Sequence, residues 1–303
     1  MISVVIATRN SGKTIAKCLA SVCQSKAVGQ VIVVDGNSRD RTVELAKQFN
    51  VEIYNENRKG FFGAYNIGYE KSKADHIMFL DSDAYLKGFD FGKALSLFDD
   101  PKVGLVVCLA YAPVTNWVGK LVNDIWNWRN SQMSKFTHEG KLTWRDKQYS
   151  KFFMSKNIGS GATPTGPCWI LRKEAIDRMG GMNPRGDDFT LGRVLERIGY
   201  SVRFFVSESV FHYPRTTLDE LCREYARFGL RGGQIAMNFY SRRERVVWLF
   251  MCSGSFAAAP FIARNSRDAR HLLVVPLIRL IQGLSFIIAN LFMAPIPNID
   301  YNV

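Results

Sequence analysis

Two aspartates separated by a single residue form a candidate cation site. Asp81-Ser82-Asp83 follows the apolar run Ile77-Met78-Phe79-Leu80, which predicts a buried strand that reaches the protein surface at Asp81. Carboxylate oxygens are the ligands that Mg²⁺ and Mn²⁺ prefer, and both ions keep coordination positions open for phosphate. An Asp-x-Asp pair is also common in solvated turns, so the pair alone leaves that alternative open.

The elements before this pair predict a sheet that gathers polar residues at one edge. Apolar runs at 2–7, 31–34 and 51–54 predict strands, and apolar residues at helical spacing lie between them. Alternating strands and helices with short connections predict right-handed βαβ units in a parallel sheet. Ligands bind such sheets beyond the carboxyl ends of the strands. The residues at 8–10, Asp35 and the pair at 81–83 would all lie at that edge.

Four stretches of the chain together resemble family 2 glycosyltransferases. They are SVVIATRN at 3–10, VVDGNSRD at 33–40, AYNIG at 64–68 and FLDSD at 79–83. The resemblance covers roughly residues 1–110 and resumes from Thr165 to about Gly233. It implies an α/β, GT-A fold with a Rossmann-like, mostly parallel central sheet, an inverting mechanism and a nucleotide-sugar donor. No P-loop or Gly-x-Gly-x-x-Gly stretch in the sequence indicates a competing nucleotide site.

The resemblance implies a donor site at the predicted sheet edge. It implies nucleotide-sugar binding by Thr8, Arg9, Asn10, Asp35, Asn66, Asp81 and Ser82, and the basic helix face described below adds Arg227 as a further candidate. In this set Asp35 would contact the base, and Asp81 would contact ribose or reach a metal through water. Asp83 would ligate Mn²⁺ or Mg²⁺ directly. Two alternatives remain. Asp35 could instead cap the next helix, although Asp40 is better placed for that role. Arg9 could instead be solvated.

His212 completes the metal set that the resemblance implies, Asp81, Asp83 and His212. It follows the predicted strand 202–206 and resembles a family histidine that approaches the metal or the donor phosphates. A lone histidine is more often structural, and that alternative stays open. The next helix opens with the capping box Thr217–Glu220 and carries Arg223, Arg227 and Arg231 on one face. This basic face predicts one of two roles. It binds the phosphates of the donor or of a lipid acceptor, or it is a solvated surface.

An acidic pair before a helix resembles the catalytic carboxylates of the family. Asp187-Asp188 precede a predicted helix from Phe189 to Ile198, with Asp187 where the family has glutamate. Inverting transfer needs a base for the acceptor proton, and we assign that role to Asp188, the second of the pair. A plain helix cap is the alternative. Val194 stands where the family often has arginine, with Arg193 and Arg197 nearby.

The acceptor side is predicted in two parts of the chain. The resemblance places Gly166, Pro167 and Trp169 in a loop on that side. Between 117 and 153, beyond the strand 103–109, aromatic residues alternate with basic ones in a stretch predicted to be irregular. Sugar rings stack on aromatic rings, and lipid head groups attract cations and tryptophan. The same residues could instead form a small aromatic core.

Composition restricts the partners. The formal net charge of +13 fits an anionic membrane or anionic substrates, and no nucleic-acid module is recognisable, so no nucleic acid is expected. The six cysteines show no zinc-type pairing and lie in apolar segments, which predicts reduced cytosolic thiols. Because the chain enters a strand at Ile2, we expect no signal peptide.

Two uncharged runs in the last third predict membrane association. They are Val246–Ala263 and Leu280–Ile299, with basic residues before and between them. A single crossing by the first run would place the basic connector 264–271 outside, against the positive-inside bias, whereas interfacial segments or a re-entrant pair would not. Buried core helices are the alternative. We expect the cytoplasmic face of the cell membrane, because nucleotide-sugars are cytosolic.

The sequence therefore predicts a GT-A catalytic domain over 1–210, an amphipathic helical connector over 211–245 and membrane-associated hydrophobic helices over 246–303. The predicted activity is metal-dependent, inverting transfer of a sugar from a nucleoside diphosphate to a lipid-linked or polysaccharide acceptor. A polyprenyl-phosphate glycosyl synthase is an alternative within the same class. A nucleotidyltransferase usually has a glycine-rich first loop, whereas the loop 8–12 has one glycine, which disfavours that class. A non-catalytic binding module would not need Asp187-Asp188, which disfavours that alternative as well.

Overall fold

The computed structural model of the chain describes residues 1–56, 61–134, 166–182, 188–239, 242, 245–246 and 258–294. The described residues form two compact units, the first within 1–111 and 129–213 and the second within 112–128 and 214–294. The stretch 112–128, which the sequence analysis placed inside the catalytic domain, thus groups with C-terminal residues.

A mixed sheet occupies the first unit. Its described strands are β1 (Ile2–Thr8), β2 (Val28–Asp35), β3 (Glu52–Asn55), β4 (His76–Leu80), β5 (Ala84–Leu86), β6 (Val103–Tyr111), β7 (Cys168–Arg172) and β8 (Ser201–His212). Their order is β3-β2-β1-β4-β7-β6-β8-β5. Neighbours pair in parallel from β3 to β4 and between β6 and β8, whereas β7 is antiparallel to both of its neighbours and β5 is antiparallel to β8. The parallel half is the sheet predicted from the sequence.

Helices accompany this sheet and make up most of the second unit. The described helices are α1 (Ile15–Cys23), α2 (Thr42–Ala46), α3 (Phe61–Lys71), α4 (Phe91–Ser96), α5 (Trp117–Ser134), α6 (Lys173–Arg178), α7 (Asp188–Arg197), α8 (Leu218–Phe239), α9 (Ala258–Ser266) and α10 (His271–Phe292), with a 3₁₀ turn at Leu97–Asp99. Helix α5 begins in the second unit and ends in the first.

The sheet is buried on both faces, as expected for strands that read as continuous apolar runs. Along β1, Val5 and Ala7 point into a core shared with α3, α6 and α7, while Val4 and Ile6 point into a core shared with α1 and α4. Helix α3 lies so close to β1 that a Cβ at Gly68 would come 2.1 Å from Cγ1 of Val5. This close packing fixes the position of α3 on the face of the sheet.

Two local predictions differ from the structure. Strand β8 continues to His212 instead of ending near Val206, because its second half pairs with β5 after a register shift. The stretch from Trp117, predicted to be irregular, forms α5, because Val118, Leu121, Val122 and Ile125 recur at helical spacing and are buried together.

The second unit packs α8, α9 and α10 with the beginning of α5 around one apolar cluster. The predicted run Leu280–Ile299 is displaced in the structure: α10 begins at His271, continues through Pro276 and Arg279, and ends at Phe292. Among the described residues, α10 is the one helix long and apolar enough to cross a membrane by length and composition. Most of the other predicted run, Val246–Ala263, lies outside the described residues, and its end belongs to α9.

Candidate functional site

The predicted edge exists where β1, β2 and β4 end. Thr8 and Asp35 face each other as the last register pair of β1 and β2, and the Gly36 amide donates to the Thr8 carbonyl at 2.8 Å. Asp81 follows β4 directly, and its amide donates to the carbonyl of Pro167 at 2.8 Å. The three strand ends predicted to carry the site therefore lie at one edge of the sheet.

Asp81, Asp83 and His212 form a three-residue cluster at this edge. One candidate ligand atom from each side chain lies within 4.8 Å of the others. His212 is brought in by the pairing of β8 with β5, which sets it opposite Ala84, the residue after Asp83. Its Nε2 lies 2.9 Å from Oδ1 of Asp83, and the Tyr213 amide donates to the Asp83 carbonyl at 3.0 Å. The predicted metal set is thus assembled by residues 129 positions apart.

The Asp81 carboxyl lies in protein surroundings that disfavour its charge. Burial raises its pKa from 3.8 to about 7, with a smaller upward effect of Asp83 that is opposed by His212 and by a hydrogen bond from Tyr65. The Tyr65 hydroxyl donates to Oδ1 at 3.2 Å. The Cys18 thiol donates to the Asp81 carbonyl oxygen at 3.6 Å, and burial raises the pKa of that thiol.

This donor set fits a divalent cation. Two carboxylates and one imidazole match the ligand chemistry of Mn²⁺, and the oxygens alone match Mg²⁺. The raised pKa of Asp81 means that its negative charge lacks full compensation from the described protein groups, and a bound cation would supply it. The roles predicted for Asp81, Asp83 and His212 stay predictions, now with compatible geometry.

The loops after β1 and β2 are locked to each other. Asp35, which is 3% exposed, accepts from the amide of Ser38 at 2.9 Å and from its hydroxyl at 2.5 Å. The Asn10 amide donates to the Ser38 hydroxyl oxygen at 2.8 Å, and the Asn10 side-chain oxygen accepts from the Arg39 amide at 2.8 Å. Asn10 holds φ at +54°, a left-handed conformation that asparagine tolerates. Asn10 and Asp35 therefore shape the predicted nucleotide pocket through these hydrogen bonds.

Three further donor-site residues differ in their surroundings. The Thr8 hydroxyl is buried and has no hydrogen-bond partner within the described part of the chain. The Ser82 hydroxyl lies 2.8 Å from that of Ser11, which ties the Asp-x-Asp turn to the loop after β1. Arg9 is exposed on that loop. Asp40 accepts from the amides of Gly12 and Thr42, so it serves the start of α2 and leaves Asp35 to the site.

Asn66 has a clear structural role that its sequence position did not reveal. Its side-chain oxygen accepts from the Met182 amide at 2.7 Å, and its side-chain nitrogen donates to the Met182 carbonyl. Gly180 and Gly181 form a turn directly before Met182. They hold φ at +72° and +99°, so this turn needs glycine. Asn66 thus holds the turn that leads toward α7. The donor-binding role predicted for it stays a prediction.

The predicted acceptor-side residues contact the residues that position Asp81. Trp169 is 1% exposed, donates from Nε1 to the Gly166 carbonyl at 3.1 Å, and packs edge-on against Tyr65 with ring centroids 5.3 Å apart. Its ring therefore belongs to the core under Asp81 and presents no surface for stacking a sugar. The Pro167 carbonyl holds the Asp81 amide, and the predicted acceptor role of Gly166 and Pro167 stays a prediction.

The predicted catalytic pair lies at the limit of the description. Asp187 lies outside the described residues, and Asp188 is the first residue of α7, one residue earlier than predicted. Val194, which stands at the family's arginine position, is 2% exposed and packs in the core, so an arginine would not fit there unchanged. The side chains of Asp188 and Arg193 lie outside the description.

The second unit contains the remaining predicted residues. Arg227 is exposed on α8, and Arg223 on the same helix pairs with Asp219. The capping box forms, because the Glu220 amide donates to the Thr217 hydroxyl at 3.2 Å and Glu220 Oε2 accepts from the Thr217 amide at 3.2 Å. Trp126 and Trp128 pack against the apolar cluster, which supports the core interpretation for that part of the aromatic stretch; residues 135–153 lie outside the described residues.

Tyr65 and Ser11 are functional candidates that sequence reasoning missed. Tyr65 contacts Asp81, and Ser11 contacts Ser82. Tyr65 lies in the stretch 64–68 and Ser11 in the loop after β1, but the spacing of residues in the sequence does not reveal these two contacts.

Comparison with known proteins identifies the family of the chain. Residues 3–180 match the family model described as "Glycosyl transferase family 2". "Glycosyltransferase AglE" of Haloferax volcanii is 38% identical over 91 residues, which are 27% of this chain and 30% of that relative. The Methanococcus voltae protein named "Dolichyl N-acetyl-alpha-D-glucosaminyl phosphate 3-beta-D-2,3-diacetamido-2,3-dideoxy-beta-D-glucuronosyltransferase" is 22% identical over 265 residues, 82% of this chain and 77% of that protein. The match to the Haloferax relative thus spans less than a third of its length.

A solved structure shares the fold. The mannosyltransferase PcManGT from Pyrobaculum calidifontis, in complex with GDP-Man and Mn²⁺, superposes with a TM-score of 0.62 at 16% identity over 96% of this chain and 87% of that chain. This likeness confirms the predicted fold class.

Proposed function

The chain belongs to glycosyl transferase family 2, and from that membership we propose that it is an inverting, metal-dependent enzyme that transfers a sugar from a nucleoside diphosphate to a lipid-linked or polysaccharide acceptor. That it is a glycosyltransferase follows from the family; the metal, the stereochemistry and the acceptor are the proposal. The observation that carries it is the convergence of Asp81, Asp83 and His212 on the sheet edge that also holds Asp35.

The donor would bind along that edge. The loops locked by Asn10 and Asp35 would hold the nucleoside, because Asp35 is buried at the end of β2 with its carboxylate already oriented by Ser38. Asp81, Asp83 and His212 would hold Mn²⁺ or Mg²⁺, and the bound cation would neutralise charge on the departing diphosphate. The Mn²⁺ and GDP-Man in PcManGT support this assignment by fold similarity.

The transfer would be a single displacement. The acceptor oxygen forms a bond to the anomeric carbon while the bond from that carbon to the diphosphate oxygen breaks, so the configuration inverts. Asp188, at the first residue of α7, takes the proton of the acceptor hydroxyl as the new bond forms. Asn66 assists indirectly, because it holds the turn at Met182 that precedes the segment carrying Asp187 and Asp188.

We place the reaction at the cytoplasmic face of the cell membrane. The proposal is supported by the apolar helix α10 and by the net charge of +13. The name of the Methanococcus relative includes a dolichyl-linked sugar phosphate, which supports a lipid-linked acceptor within the same family.

The test is a donor panel scored by release of nucleoside diphosphate, followed by two variants. Asp83→Ala should abolish Mn²⁺-dependent binding of the matching nucleoside diphosphate in calorimetry, whereas Asp99→Ala, an exposed carboxylate on the 3₁₀ turn, should bind as wild type. Asp188→Asn should bind the donor normally but transfer about 10²–10⁴-fold more slowly. Unchanged binding in Asp83→Ala would rule out the metal role, and near-normal transfer by Asp188→Asn would move the base elsewhere.

A further inference from the structure

One face of α10 carries a continuous row of exposed aliphatic side chains, which we call the outer stripe. It consists of Leu273, Leu277, Leu280, Leu284, Ile288 and Leu291, exposed by 41–77%. Their spacings of four and three residues keep them within about 80° of arc and over about 27 Å of helix. Phe261 on α9 and Phe292 at the end of α10 are also exposed, by 63% and 81%. Such a row is far longer than the scattered apolar residues of an ordinary surface.

The opposite face of α10 is held against α8, so the helix cannot roll to hide this stripe. A Cβ at Gly229 would come 2.2 Å from the Gln282 carbonyl oxygen, and one at Gly233 would come 2.6 Å from the Ala289 Cβ. Gln282, Phe286 and Ala289 are buried in this contact. Small residues that let two backbones approach closely are also the usual helix-packing device in membranes.

The single charge of the helix points away from the outer stripe. The Arg279 Nη1 donates to Gln282 Oε1 at 2.8 Å, and its guanidinium lies 5.2 Å from the centroid of the Tyr225 ring. Arg279 is the ninth residue of the 22 in α10. In a spanning orientation it would lie near the middle of the bilayer, where a charged side chain is costly. With the stripe turned toward lipid, Arg279 instead stays on the protein side.

The charges around the stripe match an anionic surface. Arg264 in the last turn of α9 and Arg267 in the connector that leads to α10 are both exposed. The sequence 258–294 contains one acidic residue, Asp268, whose carboxylate accepts from the Arg270 guanidinium at 2.9 and 2.7 Å. That carboxylate is therefore already paired, and the exposed charge of this segment is positive.

We propose that the outer stripe docks flat onto an anionic lipid bilayer, with the axis of α10 along the surface and Arg264 and Arg267 against the phosphates of lipid head groups. This is the geometry of an interfacial helix that inserts one apolar face to the head-group boundary. The inference deepens the proposed membrane location and rests on it, but it is independent of the transfer chemistry.

The experiment is flotation of the full-length protein with two kinds of vesicle, phosphatidylcholine alone and phosphatidylcholine with about one third phosphatidylglycerol. Wild type should bind the anionic vesicles. Leu284→Glu should lower the partition coefficient at least tenfold, about the effect of removing one inserted leucine and adding a repelled charge. Val114→Glu is the matched control, because it adds the same charge at a valine of the same unit that is 58% exposed and lies outside the stripe. Truncation after Tyr240 is less informative, since it would also uncover the α8 face that packs on α10.

The electrostatic half of the proposal has its own variant. Arg264→Gln with Arg267→Asn should weaken binding to anionic vesicles by about fivefold per arginine and should flatten its dependence on salt. Asparagine is chosen at 267 because that residue holds φ at +55°. Release of nucleoside diphosphate is measured on every variant, so a failure of docking is distinguished from a failure of the proposed transferase activity.

Three outcomes would overturn the proposal. Equal vesicle binding by Leu284→Glu and Val114→Glu would show that the stripe does not contact lipid. A detergent-free dimer that Leu284→Glu dissociates, without vesicle binding by wild type, would identify a second copy as the occupant. Bound wild type that does not transfer to an excess of fresh anionic vesicles would show stable insertion across the bilayer instead of flat docking.

Discussion

Replacing Asp81 by asparagine should stabilise the protein in the absence of metal while removing its function. The folded state raises the pKa of this carboxyl from 3.8 to about 7, mainly by burial, so the folded protein binds the proton more tightly than the unfolded chain does. Its favourable contribution is therefore complete below the unfolded pKa and is lost as the pH rises through about 7. Asparagine keeps the shape and an acceptor for Tyr65 but never carries the charge.

The size of the effect follows from the pKa difference. At about 1.4 kcal/mol for each pH unit, the difference corresponds to an upper limit of about 4 kcal/mol at pH values above both pKa values. Partial access of water and relaxation around the carboxylate reduce it, and we expect about 1–3 kcal/mol. The gain over wild type should be largest near pH 8, smaller near pH 6 and close to zero near pH 4.

Urea denaturation in the presence of a chelator, at those three pH values, measures this difference. Asp99→Asn, which removes an exposed carboxylate, should stay within about 0.5 kcal/mol of wild type at each pH. Adding Mn²⁺ and nucleoside diphosphate should then reverse the order, since ligand stabilises only the protein that binds it. A metal-free variant that is no more stable than wild type near pH 8, or a gain that does not change with pH, would refute the reasoning.

Two further substitutions test the surroundings of the site and of the helix pair. Tyr65→Phe removes the hydroxyl that donates to Asp81 but keeps the ring packed; calorimetry should show Mn²⁺-dependent binding of nucleoside diphosphate weakened about 3–30-fold, while Tyr54→Phe, whose hydroxyl serves Glu52, should bind normally. Equal affinities would remove Tyr65 from the site. Gly229→Ala should destabilise the second unit by about 1–3 kcal/mol in urea denaturation, because its Cβ would meet the Gln282 backbone, whereas Gly92→Ala in α4 should be neutral or slightly stabilising. A neutral Gly229→Ala would show that α8 and α10 separate easily.

Much of the first unit could be predicted because the sequence patterns that indicate its strands and helices involve residues close together in the chain. Buried strands read as short apolar runs, and the residue that follows such a run must emerge at the sheet edge, so Thr8, Asp35 and Asp81 could be assigned to one edge without any coordinates. The start of α7 was predicted within one residue for the same reason, since capping residues and apolar periodicity lie next to each other in the chain.

Contacts between distant segments could not be predicted in this way. The amide pair of Asn66 with Met182 joins residues 116 positions apart, and no spacing rule connects them. Likewise β7 enters the sheet antiparallel between β4 and β6, which buries Trp169 under Asp81. The acceptor-side role that the resemblance implies for this tryptophan stays a prediction, and the sequence shows that a ring is present but not which layer encloses it.

By itself, the sequence determined the chemistry that is available: which residue types follow which strands, the carboxylates at 81 and 83, the apolar content of the last third and its arginines. Only the tertiary structure decided which of these groups meet. The pairing of β5 with β8 brings His212 to Asp83, and the close contact at Gly229 and Gly233 decides which face of α10 is buried and which is exposed. The physical reason is that side-chain type and helical or strand period are properties of neighbours in the chain, whereas pairing and burial depend on closing loops between segments that are far apart in the chain.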